Sequence, residues 1–526
     1  MSRWADQWRA RRLPLASCLI AAALVLVPVA CDSDSGTGGD AENGSHLGPA
    51  GTLRIADFSD VTTFDPALAQ ITQAAYLFPV YDTLLRQDSA GDPIAHLATA
   101  WTEVDQTTLR FTLRDDVVFH DGASFDASVV KLNLDRAKAA DANPNAATFA
   151  AMTDVVIIDS TTVEVHFSAP NPTFLLDMSL VPGMMVSPLA INDGVDLTRD
   201  PRGSGGWMWN RSASTDGVRQ TYDLNPRYWA SDLQGVERFE INVVTDNQAR
   251  LNALKTGQID IVNAALPGDV EEAADQGLAV LRADLDVHFF LITDRAGELA
   301  APLVDHRVRQ AIGHAIDREG YVDTVLNGVG TASGGLVPPA LTEWYDPSLT
   351  DVPSYDPDLA RQLLDDAGYP DGFELTLPTL PLLQTSNEAI AQMLGAVGVR
   401  VTLAPLQNGQ LGPEMRKGNF PATVAAATQH HPYQFFNLFL SGTGPYNPFH
   451  LADTGPIDTM LRSAGGSDAP TAQQLYSDVA RAAIDDGLMF PVAFAPVINL
   501  TAPRVQHAFI PLGARSAEPY GILLEG

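Results

Sequence analysis

One stretch limits the folds open to this chain more than any other: Leu109 to Arg136, LRFTLRDDVVFHDGASFDASVVKLNLDR. Leu109, Phe111 and Leu113 alternate with Arg110, Thr112 and Arg114, the period of a strand with one face buried. Val117, Val118 and Phe119 make a second short apolar run, and His120-Asp121-Gly122 supplies turn chemistry. Asp126 stands where it would cap a helix, and apolar spacing continues through Val129 and Leu132 to Arg136. Strand, turn, strand, helix is by itself a common order; the residues that fill it narrow the choice.

At 526 residues the chain is too long for one core, so two or three domains are expected. A net charge of -32 leaves no basic face for nucleic acid or an anionic membrane, and reads as a solvated acidic surface. The two cysteines, Cys18 and Cys31, both lie at the extreme N-terminus, so the folded body has no disulfide, thiolate metal site or cysteine nucleophile. No G-x-S-x-G, H-E-x-x-H or phosphate-cradling loop occurs, and Asp115-Asp116 and Asp365-Asp366 read as solvated pairs. A binding protein without a cofactor is expected, not an enzyme.

The N-terminus reads as an address. Arg3, Arg9, Arg11 and Arg12 precede an apolar run at 15–30, short for a membrane span, and a polar tract follows Cys31. This is the pattern of a lipoprotein signal (1–30) that leaves Cys31 lipidated, although Pro28 stands three places before it where leucine is usual. Secretion without a lipid and an uncleaved anchor are the alternatives. LASC at Cys18 matches the lipobox letters but lacks a preceding apolar run, and Pro14 interrupts a twin-arginine reading of Arg11-Arg12. Residues 31–51, rich in Gly, Ser, Asp and Asn, form a flexible tether that would hold a soluble body at the outer face of the cytoplasmic membrane.

LRDDVVFHDG, FDASVV and NLDR resemble, in order and spacing, the signature of the family 5 solute-binding proteins of ABC importers, the oligopeptide, dipeptide and nickel-binding group. Other blocks agree in register: Phe64-Asp65-Pro66; Tyr81-Asp82-Thr83-Leu84-Leu85; Pro93, Leu97, Ala98 and Trp101; Asn225, Tyr228 and Trp229; Arg250, Leu254, Gly257 and Asp260; and Asp305 to Arg318. PRGSGGWMW at 201–209 occupies the place of a glycine-rich turn, with Gly206 instead of the usual proline. Between the blocks, Tyr76, Val80 and Leu84 mark a helical stripe, and DLARQLLDDAG reads as a helix stopped at Gly368. The resemblance spans about 52–500 and implies an α/β, two-lobed periplasmic-binding-protein-like fold of type II, with an extra subdomain and a cleft between the lobes. The expected layout is lobe I at 52–285 and 490–526, with a subdomain at about 85–200, and lobe II at 286–489. The implied function is monomeric delivery of a peptide or peptide-like solute to ABC permease subunits. A stand-alone sensor, or a carrier of a metal chelate or oligosaccharide, is the alternative.

In the resembling proteins two segments face each other across the cleft. One follows the DP element, here Gln70, Ile71 and Thr72; the other is an edge strand whose backbone pairs with an extended peptide and whose Asp takes the peptide ammonium. Aligned on Pro432, that Asp is Thr428, and His431 fills a second acidic place. A buried ammonium needs a carboxylate, so the peptide reading requires one from elsewhere. His430 and His431 raise a metal-chelate reading, but neighbours on an extended strand point to opposite faces and would not share one ion without a kink. The aromatic cluster Tyr433, Phe435, Phe436, Phe439, Tyr446 and Phe449 divides between lobe core and ligand stacking. The ligand candidates are Gln70, Thr72, Thr428, Gln429, His430 and Tyr433, with no metal site.

Overall fold

A computed structural model describes residues 49–525, except positions 90, 350–351, 408, 443, 445, 450–454 and 512–513. Cys31, the apolar run and the tether lie outside the described residues. The opening strand Thr52–Asp57 pairs in parallel with Arg238–Val243 on one side and Ile261–Val262 on the other, and Arg219–Leu224 and Trp207–Trp209 extend this sheet antiparallel. Its core gathers Leu53, Ile55, Trp207, Tyr222, Phe239 and Ile241.

Two long antiparallel strands, Ala279–Ile292 and Met489–Thr501, carry the sheet into a second lobe. Ile498 and Leu500 belong to the first core, whereas Phe290, Ile292, Phe490 and Val492 belong to the second. Between these halves the register shifts, from Ala283 paired with Val497 to Asp286 paired with Ala495. Pro496 stands in the interval; it has no N–H to give the ladder, so pairing breaks and the strands bend there. Met489–Thr501 is buried along its whole length, which explains its nearly unbroken apolar sequence. On the far side of Ala279–Ile292 the edge strand Ala422–Thr428 completes the second lobe's part of the sheet. Phe435, Phe436 and Phe439 pack with Tyr476 in a further core beneath it. The fold is α/β and two-lobed, with the cleft where the long strands cross.

The stretch that opened the sequence reading sits in a four-stranded antiparallel sheet, in the order Ala98–Asp105, Thr108–Leu113, Thr162–Phe167, Met152–Asp159. Leu109, Phe111 and Leu113 are buried on one face, and Asp126 Oδ1 accepts hydrogen bonds from the backbone N–H groups of Ser128 and Val129 at the start of the helix Ala127–Ala139. The apolar run 117–119 is no full strand; a single bridge joins Val118 to Ser124 around Gly122, whose φ is +94°. The stripe Tyr76, Val80 and Leu84 is buried but not helical beyond Ala74–Leu77. Pro79 has no N–H to continue the ladder, so the helix gives way to an irregular turn in which Phe78 keeps helical dihedrals and the N–H groups of Val80 and Tyr81 both reach Leu77 O (3.0 Å each).

Asp82 holds the first lobe's pieces together. It is wholly buried and accepts hydrogen bonds from His96 Nε2 (3.0 Å), Ser204 Oγ (2.9 Å), Tyr228 Oη (2.9 Å), Trp229 Nε1 (3.1 Å) and Tyr520 Oη (3.0 Å). The glycine-rich turn must approach this knot closely: a Cβ on Gly203 would overlap the Val80 carbonyl oxygen.

Candidate ligand-binding cleft

The edge strand's hydrogen-bonding phase decides what it offers a ligand. Gln429 N–H donates to Leu285 O (2.8 Å), and Thr293 N–H donates to Pro421 O (3.0 Å). In an antiparallel pair the bonded residues alternate, so Val424, Ala426 and Thr428 turn their backbone N–H and C=O groups away from the sheet, toward its open edge. Three half-buried residues, Ala425, Ala426 and Ala427, carry only methyl groups, leaving the backbone accessible to an extended partner.

At the end of this edge Thr428 meets the carboxylate that its own position lacks. Thr428 Oγ1 donates to Asp286 Oδ1 (2.5 Å), directly across the strand pair, and Asp286 is buried. Arg515, from the C-terminal return, donates through Nη1 to Asp286 Oδ1 (3.0 Å) and to Thr428 Oγ1 (3.0 Å), and its Nη2 lies 2.8 Å from Asp286 Oδ2. The result is a bidentate acid–base pair at the crossing of the long strands.

The two histidines diverge, as alternation along an extended chain requires. His430 Nε2 lies 3.3 Å from Asp177 Oδ1, at the end of the short helix Phe174–Asp177 in the first lobe, and both side chains are buried. His431 turns the other way: its Nδ1 accepts from Tyr433 N–H as the cap of the helix Pro432–Phe439, and its ring packs against Trp344 and Tyr476. Burial, with His430 beside it, pushes the His431 imidazole down to about 3, so it is neutral near pH 7. Among the described residues no three His, Cys, Asp or Glu side chains gather as metal ligands.

Gln429 is buried, and neither polar atom of its side chain has a partner. Tyr433 is half-buried beside Gly465, which in turn faces Pro170 of the first lobe. Gln70 and Thr72 are exposed at the short 3-10 turn Ile71–Gln73, and among the described residues no hydrogen bond links them to the 428–433 wall. The buried member of that turn is Gln73, whose Oε1 accepts from Thr62 N–H (2.6 Å). The DP element is likewise occupied structurally: Asp65 Oδ2 accepts from Arg136 Nη1 (2.8 Å).

Sequence reasoning missed Asp286, Arg515, Asp177 and Asp57. Asp57 ends the central parallel strand at the sheet edge nearest the crossing, the side on which α/β sheets bind ligands. Desolvation there raises its carboxyl pKa, although Asn263 donates to it (3.1 Å). A separate cavity of about 390 Å³, lined by Arg86, His96, Arg114 and Trp229, contains none of the cleft residues, and both of its arginines are ion-paired.

Comparison with known proteins agrees with this geometry. The family described as bacterial extracellular solute-binding proteins, family 5 Middle, matches residues 92–447. The glutathione-binding protein GsiB of Salmonella paratyphi A is 30% identical over 448 residues, covering 81% of this chain and 85% of that protein. Two solved structures share the fold. DppA from Helicobacter pylori, in complex with the peptide STSA, is 20% identical with a TM-score of 0.80, covering 91% of this chain and 99% of that one. NikA from Brucella suis, in complex with Fe(III)-EDTA, is 21% identical with a TM-score of 0.74, covering 90% and 100%. With two lobes, an open strand edge at their crossing and a match over most of its length, the chain belongs to the family 5 bacterial extracellular solute-binding proteins.

Proposed function

We propose that this protein captures a small peptide or peptide-like solute between its lobes and, on closure, presents it to the permease subunits of an ABC importer. The observation that carries the reading is the open edge of Ala422–Thr428 ending at Asp286 and Arg515. An extended backbone adds to the edge, while the acid–base pair offers a carboxylate to an ammonium and a guanidinium to a carboxylate. Asp286 thus answers the charge that Thr428 lacks. The relative named for glutathione, itself a small peptide, supports the same class of solute. Thr428, Gln429, His430 and Tyr433 form one wall in this reading, with Gln70 and Thr72 on the opposing lip. The lobes divide at the bend of the long strands, 52–285 with 497–526 and 286–495, a few residues past the expected edge at 490, because Phe490 and Val492 pack in the second core. Lipid on Cys31 holds a monomer at the outer face of the cytoplasmic membrane; among the described residues no helix is long and apolar enough to cross it.

Calorimetry of a soluble Cys31→Ser form with reduced glutathione and with short peptides tests the solute class. Saturable binding to one of them is expected; a protein that purifies with, and binds, only a metal chelate or a sugar would refute the peptide reading. The anchor has its own assay. Cys31→Ser should move the protein from the membrane fraction to the soluble one, and persistence in the membrane fraction would contradict lipidation there.

A further inference from the structure

Gln106 and His430 both reach across the lobes, in different settings. Gln106 Nε2 meets Gly466 O at 3.5 Å on the exposed surface, the outer limit of a hydrogen bond. His430 Nε2 meets Asp177 Oδ1 at 3.3 Å with both side chains buried, 3% and 1% exposed.

Each member of the buried pair is carried by its own lobe. Asp177 ends the helix Phe174–Asp177, and Phe174 and Met178 fix that helix in the first lobe's subdomain core, with Leu97 and Phe111. His430 follows the edge strand Ala422–Thr428 and leads into the helix Pro432–Phe439, which is seated in the second lobe through Phe435 and Phe436. The contact therefore breaks, and both groups meet water, when the lobes part. Among the described residues the donors to the Asp177 carboxylate are Thr173 Oγ1, to Oδ2 (3.0 Å), and His430. Without His430, closing the lobes would bury a carboxylate against one neutral hydroxyl, a costly state. Without Asp177 it would bury an imidazole, a group that interiors accept uncharged.

We propose that His430 and Asp177 form an inter-lobe latch: with the lobes together His430 Nε2–H donates to the Asp177 carboxylate, and this pair sets how long the closed form lasts and so how long a captured solute is held. The inference rests on closure over a peptide-like solute and adds the contact that times its release.

The test compares the soluble Cys31→Ser form of the full chain with His430→Ala, Asp177→Ala and the double variant made in it. His430→Gln, which keeps an N–H donor, is the conservative control, and circular dichroism certifies each fold. Stopped-flow kinetics with reduced glutathione separate capture from release. Capture starts from the open form and release requires opening, so the on-rate should stay within about twofold while the off-rate rises. His430→Ala is expected to raise the off-rate about ten- to hundredfold. Asp177→Ala should raise it by less, and the double variant by less than the product of the single effects, because the two residues act as one contact. His430→Gln should recover most of the loss. An off-rate for His430→Ala within about twofold of the parent, or single effects that simply multiply, overturns the inference. Failure of the parent itself to bind glutathione or any short peptide refutes instead the peptide-like reading beneath it.

Discussion

Replacing Asp82 by asparagine asks whether the first lobe is held by one buried carboxylate. Its five donors come from separated stretches: His96, Ser204, the neighbours Tyr228 and Trp229, and Tyr520 near the C-terminus. Desolvation alone would raise the carboxyl pKa, but the adjacent His96 and the other donors outweigh it and hold the group down to about 2. Asparagine keeps the shape yet turns an N–H₂ toward one set of donors. A serine or tyrosine hydroxyl can rotate to accept, whereas the Trp229 indole N–H cannot. Breaking a buried charged network of this kind costs about 3–5 kcal/mol. For a cooperative unit of about 270 residues, at about 2.1 cal/mol/K each, the melting temperature should fall by about 5–9 °C. The pH dependence gives a second signature. The unfolded carboxyl titrates near 3.9 and the folded one lower, so the stabilisation is complete above about pH 4 and is lost as pH falls toward 2, a change of about 2 kcal/mol. Scanning calorimetry should show the gap between parent and variant narrowing across that window. A variant melting within about 1 °C of the parent at neutral pH would refute the reasoning.

Gly203→Ala should destabilise by about 1–3 kcal/mol, since its Cβ would meet the Val80 carbonyl and the Tyr81 ring with no flexible tip to yield; an unaltered melt would contradict so close an approach. His431 is buried neutral, with a folded pKa near 3, so the unfolded state takes its proton first and stability declines as pH falls from about 6.5. His431→Asn keeps a capping acceptor for the helix Pro432–Phe439 and should flatten the stability–pH curve over that range, where identical slopes would count against the assignment. Asp286→Asn should weaken binding of a peptide with a free ammonium at least about tenfold while sparing its N-acetylated form. Equal losses for both would make the Asp286–Arg515 pair a structural contact only.

The parts of the fold that were legible in the sequence are those set by near neighbours. Alternation at 109–113, the Asp126 cap and the helix stop at Gly368 (φ +89°) depend on a few adjacent residues. The stripe at Tyr76, Val80 and Leu84 misled because burial was right and helicity wrong: periodicity reported which side chains go inside, and Pro79 decided the backbone. The cleft was half legible. The family pattern pointed to 428–433, and period-two alternation foretold that His430 and His431 would part. Their partners were not legible, because they arrive from far along the chain: Asp286 lies 142 positions from Thr428, and Asp177 lies 253 from His430. Register across the sheet sets the first, and the meeting of the lobes sets the second. No local signal encodes either.

Closure over a solute is the claim on which the functional account depends, and small-angle scattering of the soluble Cys31→Ser form reads it directly. Data would be taken before and after saturation with a solute whose binding calorimetry has established. The radius of gyration should shrink on saturation, as the walls carrying Asp177 and His430 come together. A radius unchanged with the solute bound would contradict the clamp.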